Sequence, residues 1–236
     1  MTTHDISAVL TVHAEGTLVG ASHRSLNDAI DFAKSYDLSV EKIIVMDKVD
    51  RKTEQMFNDC DSENIKIIHT DFGDQGKVRN YAASRANGKY IAFLDGDDLW
   101  GNNWLYRAYQ ELENSEGRAV VHPEVNWFFQ GTSSLFFNIS SIEDDFDSEF
   151  LRHANYWDAL CMCSTALFDE IRYSDREIEK GFAYEDWYWN CETIDSGVTH
   201  IVAENTVHFK RRRDDSQTIE ASKKKVLCPM SALFSF

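Results

Sequence analysis

The stretch Tyr90-Ile91-Ala92-Phe93-Leu94-Asp95-Gly96-Asp97-Asp98-Leu99-Trp100 decides how this chain is read. Tyr90 to Leu94 is apolar or aromatic throughout, which suits a strand buried on both faces. The run stops at Asp95, Asp97 and Asp98, three carboxylates within four positions, with Gly96 free to turn tightly and to let a ligand approach. Carboxylates this close repel, so the cluster is costly unless a cation or strong donors sit among them. Hard divalent cations take oxygen ligands, and magnesium-type sites combine one or two carboxylates with substrate phosphates. The residues alone leave two readings open: a cation site, or a solvated acidic turn after a strand.

Upstream, the chain alternates. Ile6 to Val12 reads as a first strand, Ser25 to Ser35 as a helix with Leu26, Ala29, Ile30 and Ala33 at helical spacing, and Glu41 to Asp47 as a second strand. Lys52 to Cys60 reads as a short polar helix, Ile65 to His69 as a third strand, and Lys77 to Ala86 as a helix ending at Asn87-Gly88. Such alternation predicts a parallel sheet with helices on both faces. Ligands of these sheets bind beyond the C-terminal ends of the strands. His13, Asp47, Asp71 and Asp95 all follow strand ends, so topology predicts that they converge on one crevice.

Downstream, the pattern loosens. Asn103 to Glu113 reads as helix, Ala119 to His122 as a short strand, Asn126 to Asn138 as a pair of aromatic-rich strands, and Glu143 to Glu149 as an acidic linker. Trp157 to Ile171 reads as partly helical, Glu185 to Ser196 as a helix, and His200 to Glu204 and Thr206 to Lys210 as two strands. Ser216 to Lys225 is a polar helix, and Val226 to Phe236 an apolar tail too short to span a membrane.

Asp95-Gly-Asp97-Asp98 at the end of an apolar strand resembles the Asp-x-Asp motif of the GT-A glycosyltransferases, family 2 in particular. The resemblance runs from about Ile6 to about Arg213 and has further motifs in order. Val9-Leu-Thr11-Val-His13-Ala-Glu15-Gly16 is similar to the family's opening strand and turn, which implies that Thr11, His13 and Glu15 lie beside the donor nucleotide, with Asp47 at its base. Where the family continues with a second aspartate, glycine and serine, this chain has Lys48-Val49-Asp50. Asp71-Phe-Gly73-Asp-Gln-Gly76-Lys77-Val-Arg79-Asn80 resembles the loop that leads into the family's Arg-Asn helix start. Backbone N–H groups and basic side chains at a helix N-terminus suit a diphosphate, which places Lys77 and Arg79 there. No P-loop and no G-x-G-x-x-G pattern is present.

Tyr184-Glu185-Asp186-Trp187-Tyr188-Trp189, about ninety residues after Asp95, resembles the family's Glu-Asp pair, whose aspartate is the general base. That implies Asp186 as base, Glu185 beside it, and Tyr184 and Trp187 toward the acceptor. Physically, a carboxylate among Trp and Tyr is partly desolvated, which raises its pKa toward the working range of a base. In Thr206-Val-His208-Phe-Lys210-Arg211-Arg212-Arg213, similar to the last family segment, the resemblance implies His208 as a metal ligand and Arg211 near phosphate. Taken together it implies a Rossmann-like, mostly parallel GT-A sheet flanked by helices, with a smaller aromatic-rich acceptor side. The expected organisation is a glycosyltransferase domain over residues 1–213, with the nucleotide-sugar half at about 1–100 and the acceptor half at about 101–213, followed over 214–236 by a C-terminal helical tail or the start of a further region.

The implied activity is inverting transfer of a sugar from a nucleotide-diphosphate sugar to a saccharide or lipid-linked saccharide acceptor, in bacterial surface polysaccharide synthesis. The implied cofactor is Mn2+ or Mg2+, held by Asp95, Asp97, Asp98 and His208. Two other classes share the motif: a phosphatase with an Asp nucleophile, and a non-catalytic sugar-binding domain. In the phosphatase pattern a Thr or Val stands where this chain has Leu99, and the motif sits on the first strand.

Composition leads to the expectation of one soluble domain, or one domain with an appendage. The 236 residues are 43% hydrophobic, enough for a sizeable core. A formal net charge of −16 opposes nucleic-acid binding, although Lys210 to Arg213 and Lys223 to Lys225 concentrate positive charge near the C-terminus. The expectation for that tail is an attachment surface to a partner or membrane. Five cysteines, an odd number, fit a reducing compartment, and no signal-peptide pattern opens the chain. The expected location is therefore the cytoplasm, including the inner face of the membrane. The sequon Asn138-Ile-Ser140 is read as chance, and the spacing of Cys161, Cys163, His153 and Cys191 matches no common zinc motif.

Overall fold

Tyr90, Ala92 and Leu94 pack on one face of the central sheet and Ile91 and Phe93 on the other, which is why the run between them is apolar without a break. A computed structural model of the chain describes residues 3–57, 65–115, 118–213 and 217–234. Its elements are β1 (His4–Val12), α1 (Val19–Lys34), β2 (Val40–Asp47), α2 (Arg51–Glu54), β3 (Ile65–Thr70), α3 (Gln75–Ala83), β4 (Gly88–Asp95), β5 (Leu99–Trp100), α4 (Trp104–Asn114), β6 (Ala119–Phe129), β7 (Ser134–Phe137), β8 (Met162–Ser164), α5 (Leu167–Glu170), α6 (Glu185–Asp195), β9 (Thr199–Arg211) and α7 (Gln217–Lys224).

The strands form one sheet in the order β3-β2-β1-β4-β8-β6-β9-β5, with β7 added to β6. The first four are parallel, in the registers Ile44↔Ile67, Leu10↔Ile44 and Leu10↔Leu94. Beyond β4 the sheet is mixed: β8 runs antiparallel to both β4 and β6, whereas β6 and β9 are parallel. α1 and α4 cover one face through Leu26, Ile30, Trp104 and Leu105, and α3, α5 and α6 cover the other through Val78, Phe168 and Trp189. Burial of each such large side chain contributes about 1.5–3 kcal/mol.

The expected strands and helices of the first hundred residues are present, with shifted ends. α1 begins at Val19, six residues before its expected start, because Val19 and Ser22 continue the buried stripe of Leu26, Ala29, Ile30 and Ala33. α3 begins at Gln75, since Asp74 caps it by accepting from the Lys77 N–H at 3.0 Å. The helix expected over 52–60 is α2 followed by a 3-10 turn at Gln55–Phe57, and residues 58–60 lie outside the described residues.

In the second half, three expectations change. The strands expected over 119–122 and from 126 are one strand, β6, which passes Pro123 through a register shift between Pro123 and Val125. β9 likewise runs through Asn205, which takes a left-handed conformation at φ 60° opposite that irregularity. The region 157–171 holds a strand and a four-residue helix, not a longer helix. Its run Ala159 to Cys163 is buried throughout, and an all-apolar run carries no period that separates helix from strand.

The C-terminal segment, expected to be an attachment surface, packs on the chain before and within α6. Leu227 donates its N–H to the Gly181 carbonyl and accepts from Ala183, Val226 packs with Ala183 and Ala221, and the Ser231 hydroxyl donates to Glu192 at 2.6 Å. Residues 214–216 and 235–236 of that segment lie outside the described residues. Among the described residues no helix is long and apolar enough to cross a membrane.

β1 and β4 approach so closely at Gly88 that a Cβ there would lie 2.4 Å from the Ser7 backbone nitrogen and 2.6 Å from the Ile6 carbonyl carbon. Neither atom can move without separating the strands. Gly88→Ala is expected to lower the unfolding free energy by about 2–3 kcal/mol, measured by denaturant unfolding at unchanged m-value.

Candidate active site

The C-terminal ends of β1, β2 and β4 bring Thr11, His13, Asp47 and Asp95 to one edge of the sheet, where they line a cavity of about 110 Å³ together with Glu15 and Asp97. Asp47 is buried, and its two oxygens accept from the Thr70 hydroxyl at 2.9 Å and from the Phe72 and Gly73 N–H groups at 2.7 Å each, so it also fixes the loop that follows β3. His13 donates from Nδ1 to the Asp47 carbonyl at 2.6 Å, and its own N–H reaches Glu15 Oε2 at 2.8 Å. Asp71, expected in the same crevice, points to solvent beside Lys48 at 3.7 Å.

The Asp95–Asp98 turn resolves its repulsion with protein cations. Arg79, only 3% exposed, holds Asp95 through Nη2 at 2.9 and 3.1 Å, and the Thr11 hydroxyl donates to the same carboxylate at 2.8 Å. Burial acts to raise the Asp95 pKa, but Arg79, Lys210 and these hydrogen bonds outweigh it and the net shift is downward. Asp98 is buried, accepts from the Arg211 N–H at 2.7 Å and lies 3.4 Å from Lys210 Nζ; burial pushes it up to about 7. Asp97 has only long contacts, 3.6 Å each, to Arg211 Nη1 and Arg213 Nε. Burial raises its pKa as well, against the pull of Arg213. Gly96 lets this turn pack on Glu15, whose Cδ would lie 3.0 Å from a Cβ. Burial, and then the Asp97 charge among lesser causes, raises Glu15 against the N–H groups it accepts.

Asp95 is shared with a second cavity of about 350 Å³, lined by Asn126, Asp158, Lys210, Glu185 and Asp186 and walled by Phe128, Phe136, Tyr156 and Tyr184. Tyr184 stands in the left-handed region at φ 66°, which turns the chain into α6; a bulky residue held there costs on the order of 1–3 kcal/mol. The first turn of α6 then presents both acids. Glu185 is buried against Arg79 Nη1 at 3.4 Å, so one guanidinium spans Asp95 and Glu185. Among the described residues Asp186 has no ion-pair partner. Burial and then the Glu185 charge push its carboxyl up to about 7, opposed by the N–H of Trp187 and by Arg79.

Several residues expected here lie elsewhere or have other partners. Lys77 is 42% exposed and pairs with Asp175 at 3.2 Å, lining neither cavity. Arg79 is engaged by two carboxylates and is not open to a diphosphate. Trp187 donates its indole N–H to the Leu151 carbonyl at 2.7 Å and does not line the larger cavity. His208 is fully buried against Trp100 and Trp104, and burial lowers it to about 3. Arg211 reaches Asp97 and Gln130. Sequence reading missed Asn126, Asp158 and Lys210, which line the larger cavity, and Arg213, which lines the smaller one. The signals present were Asn126 between Val125 and Trp127, and the basic run Lys210 to Arg213, which marked a charge cluster without assigning Lys210 or Arg213 a role.

A divalent cation fits only part of the expected ligand set. Among the described residues no group of three or more His, Cys, Asp or Glu side chains is arranged to hold a metal. Asp95 and Asp98 are occupied by Arg79 and Lys210, and His208 is enclosed by aromatic rings. Asp97 remains, and one carboxylate with donor phosphates is a sufficient protein contribution for Mg2+ or Mn2+.

The Glycosyl transferase family 2 description matches residues 7–171, more than half of the chain, and the chain belongs to that family. Its fold is GT-A, shared with S. aureus TarS 1-349 in complex with UDP-GlcNAc (TM-score 0.69, 18% identity, 90% of this chain and 60% of that one) and in complex with UDP (TM-score 0.67, 17% identity, 94% and 64%). The chain thus spans less than two thirds of the TarS 1-349 chains that it matches. A search of curated proteins finds no match.

Because Arg79 is buried between two acids, Arg79→Leu strands both charges. It is expected to cost about 3–5 kcal/mol of stability, whereas Arg79→Lys, which keeps the charge and loses the fork, costs less. Thermal and denaturant unfolding of both variants measures the difference.

Proposed function

We propose that the chain transfers a sugar from a nucleotide-diphosphate sugar to a hydroxyl acceptor with inversion. The observation that carries this reading is that Asp95 and Gln75 belong to both cavities. One cavity is lined by the Asp47 and Asp97 side of the crevice, and the other by Asp186. A donor lying across Asp95 would place its nucleotide in the first and its sugar in the second. The UDP-GlcNAc and UDP complexes of TarS, which shares the fold, support a uridine donor as the first to test.

In this reading Thr11, His13, Glu15 and Asp47 frame the nucleotide, and Arg211 and Arg213, beside Asp97, meet the diphosphate. Asp97 would hold Mn2+ or Mg2+, which when bound neutralises charge on the departing diphosphate. Asp186 takes the proton of the acceptor hydroxyl, the freed oxygen bonds to the anomeric carbon, and the bond from that carbon to the diphosphate oxygen breaks on the opposite face. A carboxyl near 7 is matched to this task at neutral pH. Tyr184 forms part of the acceptor wall, and Glu185 keeps Arg79 in place. The acceptor is a saccharide, free or lipid-linked, and the setting is bacterial surface polysaccharide synthesis at the cytoplasmic side of the membrane. A phosphatase using Asp95 as nucleophile is disfavoured, since Arg79 and Thr11 occupy that carboxylate.

The test is release of UDP from UDP-GlcNAc over a panel of saccharide acceptors, with Mn2+ and with chelator. Asp186→Asn is expected to lower turnover by roughly two to four orders of magnitude with donor affinity little changed. The base works only when ionised, so kcat/KM of the native chain should fall about tenfold per pH unit below about 7. Chelation should remove most of the activity. Near-normal transfer by Asp186→Asn would rule out the assigned base.

A further inference from the structure

Among the described residues β7 pairs with β6 and with no other strand. The pairing is antiparallel, with Val125↔Phe137, Asn126↔Phe136 and Trp127↔Leu135, and the Asn138 N–H donates to the Glu124 carbonyl at 2.9 Å. Antiparallel ladders alternate hydrogen-bonded and non-hydrogen-bonded pairs. Glu124 and Asn138 form a bonded pair, so Asn126 and Phe136 form the next, and the backbone N–H and C=O groups of Leu135 and Phe137 turn away from β6. Among the described residues these outward groups have no hydrogen-bond partner. An open edge of this kind is a template for a further strand, and soluble proteins blunt it with charged side chains, proline or a bulge. β7 carries none of the three. No Asp, Glu, Lys or Arg stands between Glu124 and Glu143, the longest uncharged interval in the sequence. Its apolar side chains lie at the surface: Trp127 is 45% exposed, Leu135 54% and Phe137 60%. By register these three share one face, where Trp127 meets Phe209 at 5.7 Å between ring centroids.

We infer that β7 pairs with β7 of a second copy of this chain, antiparallel about a two-fold axis at Phe136. A second copy fits because the edge is complementary to itself. With Phe136 facing Phe136 of the second copy as a non-hydrogen-bonded pair, Leu135 faces Phe137 of the second copy, and Phe137 faces its Leu135. Both of the latter are bonded pairs, so the outward N–H and C=O groups of each copy answer those of the other. Opposed side chains of paired strands share a face, which packs Leu135 on Phe137 of the second copy in line with Trp127. Charge selects the same surface. Two chains of net charge −16 repel, and this uncharged interval is where they meet with least repulsion. Phe136 also walls the larger cavity, so the axis stands beside that cavity in each copy. The pairing holds whatever reaction the crevice performs.

Sedimentation equilibrium of the full chain, from micromolar to millimolar concentration, reads the pairing. One strand edge is a small interface, so a concentration-dependent monomer–dimer equilibrium is expected. Leu135→Pro removes an outward N–H and leaves the bonds to β6 in place, and it should weaken dimerisation by about tenfold or more. Thermal unfolding shows whether that variant is folded, and two cysteine variants read the register without it. The new thiol of Phe136→Cys faces its own copy, with Cα atoms about 4.5 Å apart and within disulfide reach, whereas that of Phe137→Cys faces Leu135. Under the same mild oxidant, Phe136→Cys should form a covalent dimer faster than Phe137→Cys and faster than the native chain. A native chain that stays monomeric throughout, a dimer indifferent to a folded Leu135→Pro, or equal linkage of the two cysteine variants overturns the pairing. A monomeric chain that instead sediments with vesicles of anionic phospholipid also overturns it and gives the hairpin to a lipid surface.

Discussion

The site depends on one buried guanidinium. Arg79 ties Asp95, at the end of β4, to Glu185, at the start of α6, and these acids come from opposite halves of the chain. Without a cation between them, the acids would be pushed apart or neutralised by protonation, because burial of an unpaired carboxylate is among the most expensive arrangements a fold can hold. With Arg79 in place, the parallel half and the mixed half of the sheet meet across a crevice, and Asp186 is left as the acid without a partner of its own. Its raised pKa has a consequence for stability. Between the unfolded value near 4 and the folded value near 7, the native state holds more protons than the unfolded chain, so stability from this group falls as pH rises through that window. The carboxylate that suits a base at neutral pH is therefore a local cost to the fold.

The first hundred residues were legible because their physics is periodic. Buried parallel strands such as Tyr90–Leu94 are apolar throughout, helices between them keep a 3.6-residue stripe, and ligand residues fall at strand ends by topology. Ambiguity began where periodicity failed. The run Ala159 to Cys163 offers no alternation, and Asn205 and Pro123 look like strand ends although β9 and β6 pass through them together. Site residues divided in the same way. Asp95, Asp97, Asp186 and Asp47 announce themselves as carboxylates at element ends, but direction does not. Whether Arg79 faces a phosphate or an aspartate, and whether Lys77 turns in or out, depends on three-dimensional neighbours. Asn126, Asp158 and Lys210 come from distant segments and form a network only once β6 and β9 are paired.

The distribution of charge adds a second lesson. The chain has sixteen more acidic than basic residues, yet the crevice collects Arg79, Lys210, Arg211 and Arg213 against its own aspartates. An anionic donor would meet a surface in which Asp95, Asp98 and Asp158 are held closely by cations, Asp97 only by arginine contacts of 3.6 Å, and Asp186 by the Trp187 N–H alone. Asp97 and Asp186 are also raised by burial. They are the groups that a metal and an acceptor proton, respectively, would relieve.

The most direct measurement is an experimental structure of the chain with UDP-GlcNAc. The account predicts the nucleotide between His13 and Asp47, the diphosphate beside Asp97 and Arg213, and the sugar crossing Asp95 so that its anomeric carbon faces Asp186. A nucleotide bound outside this crevice, or a sugar directed away from Asp186, would contradict it.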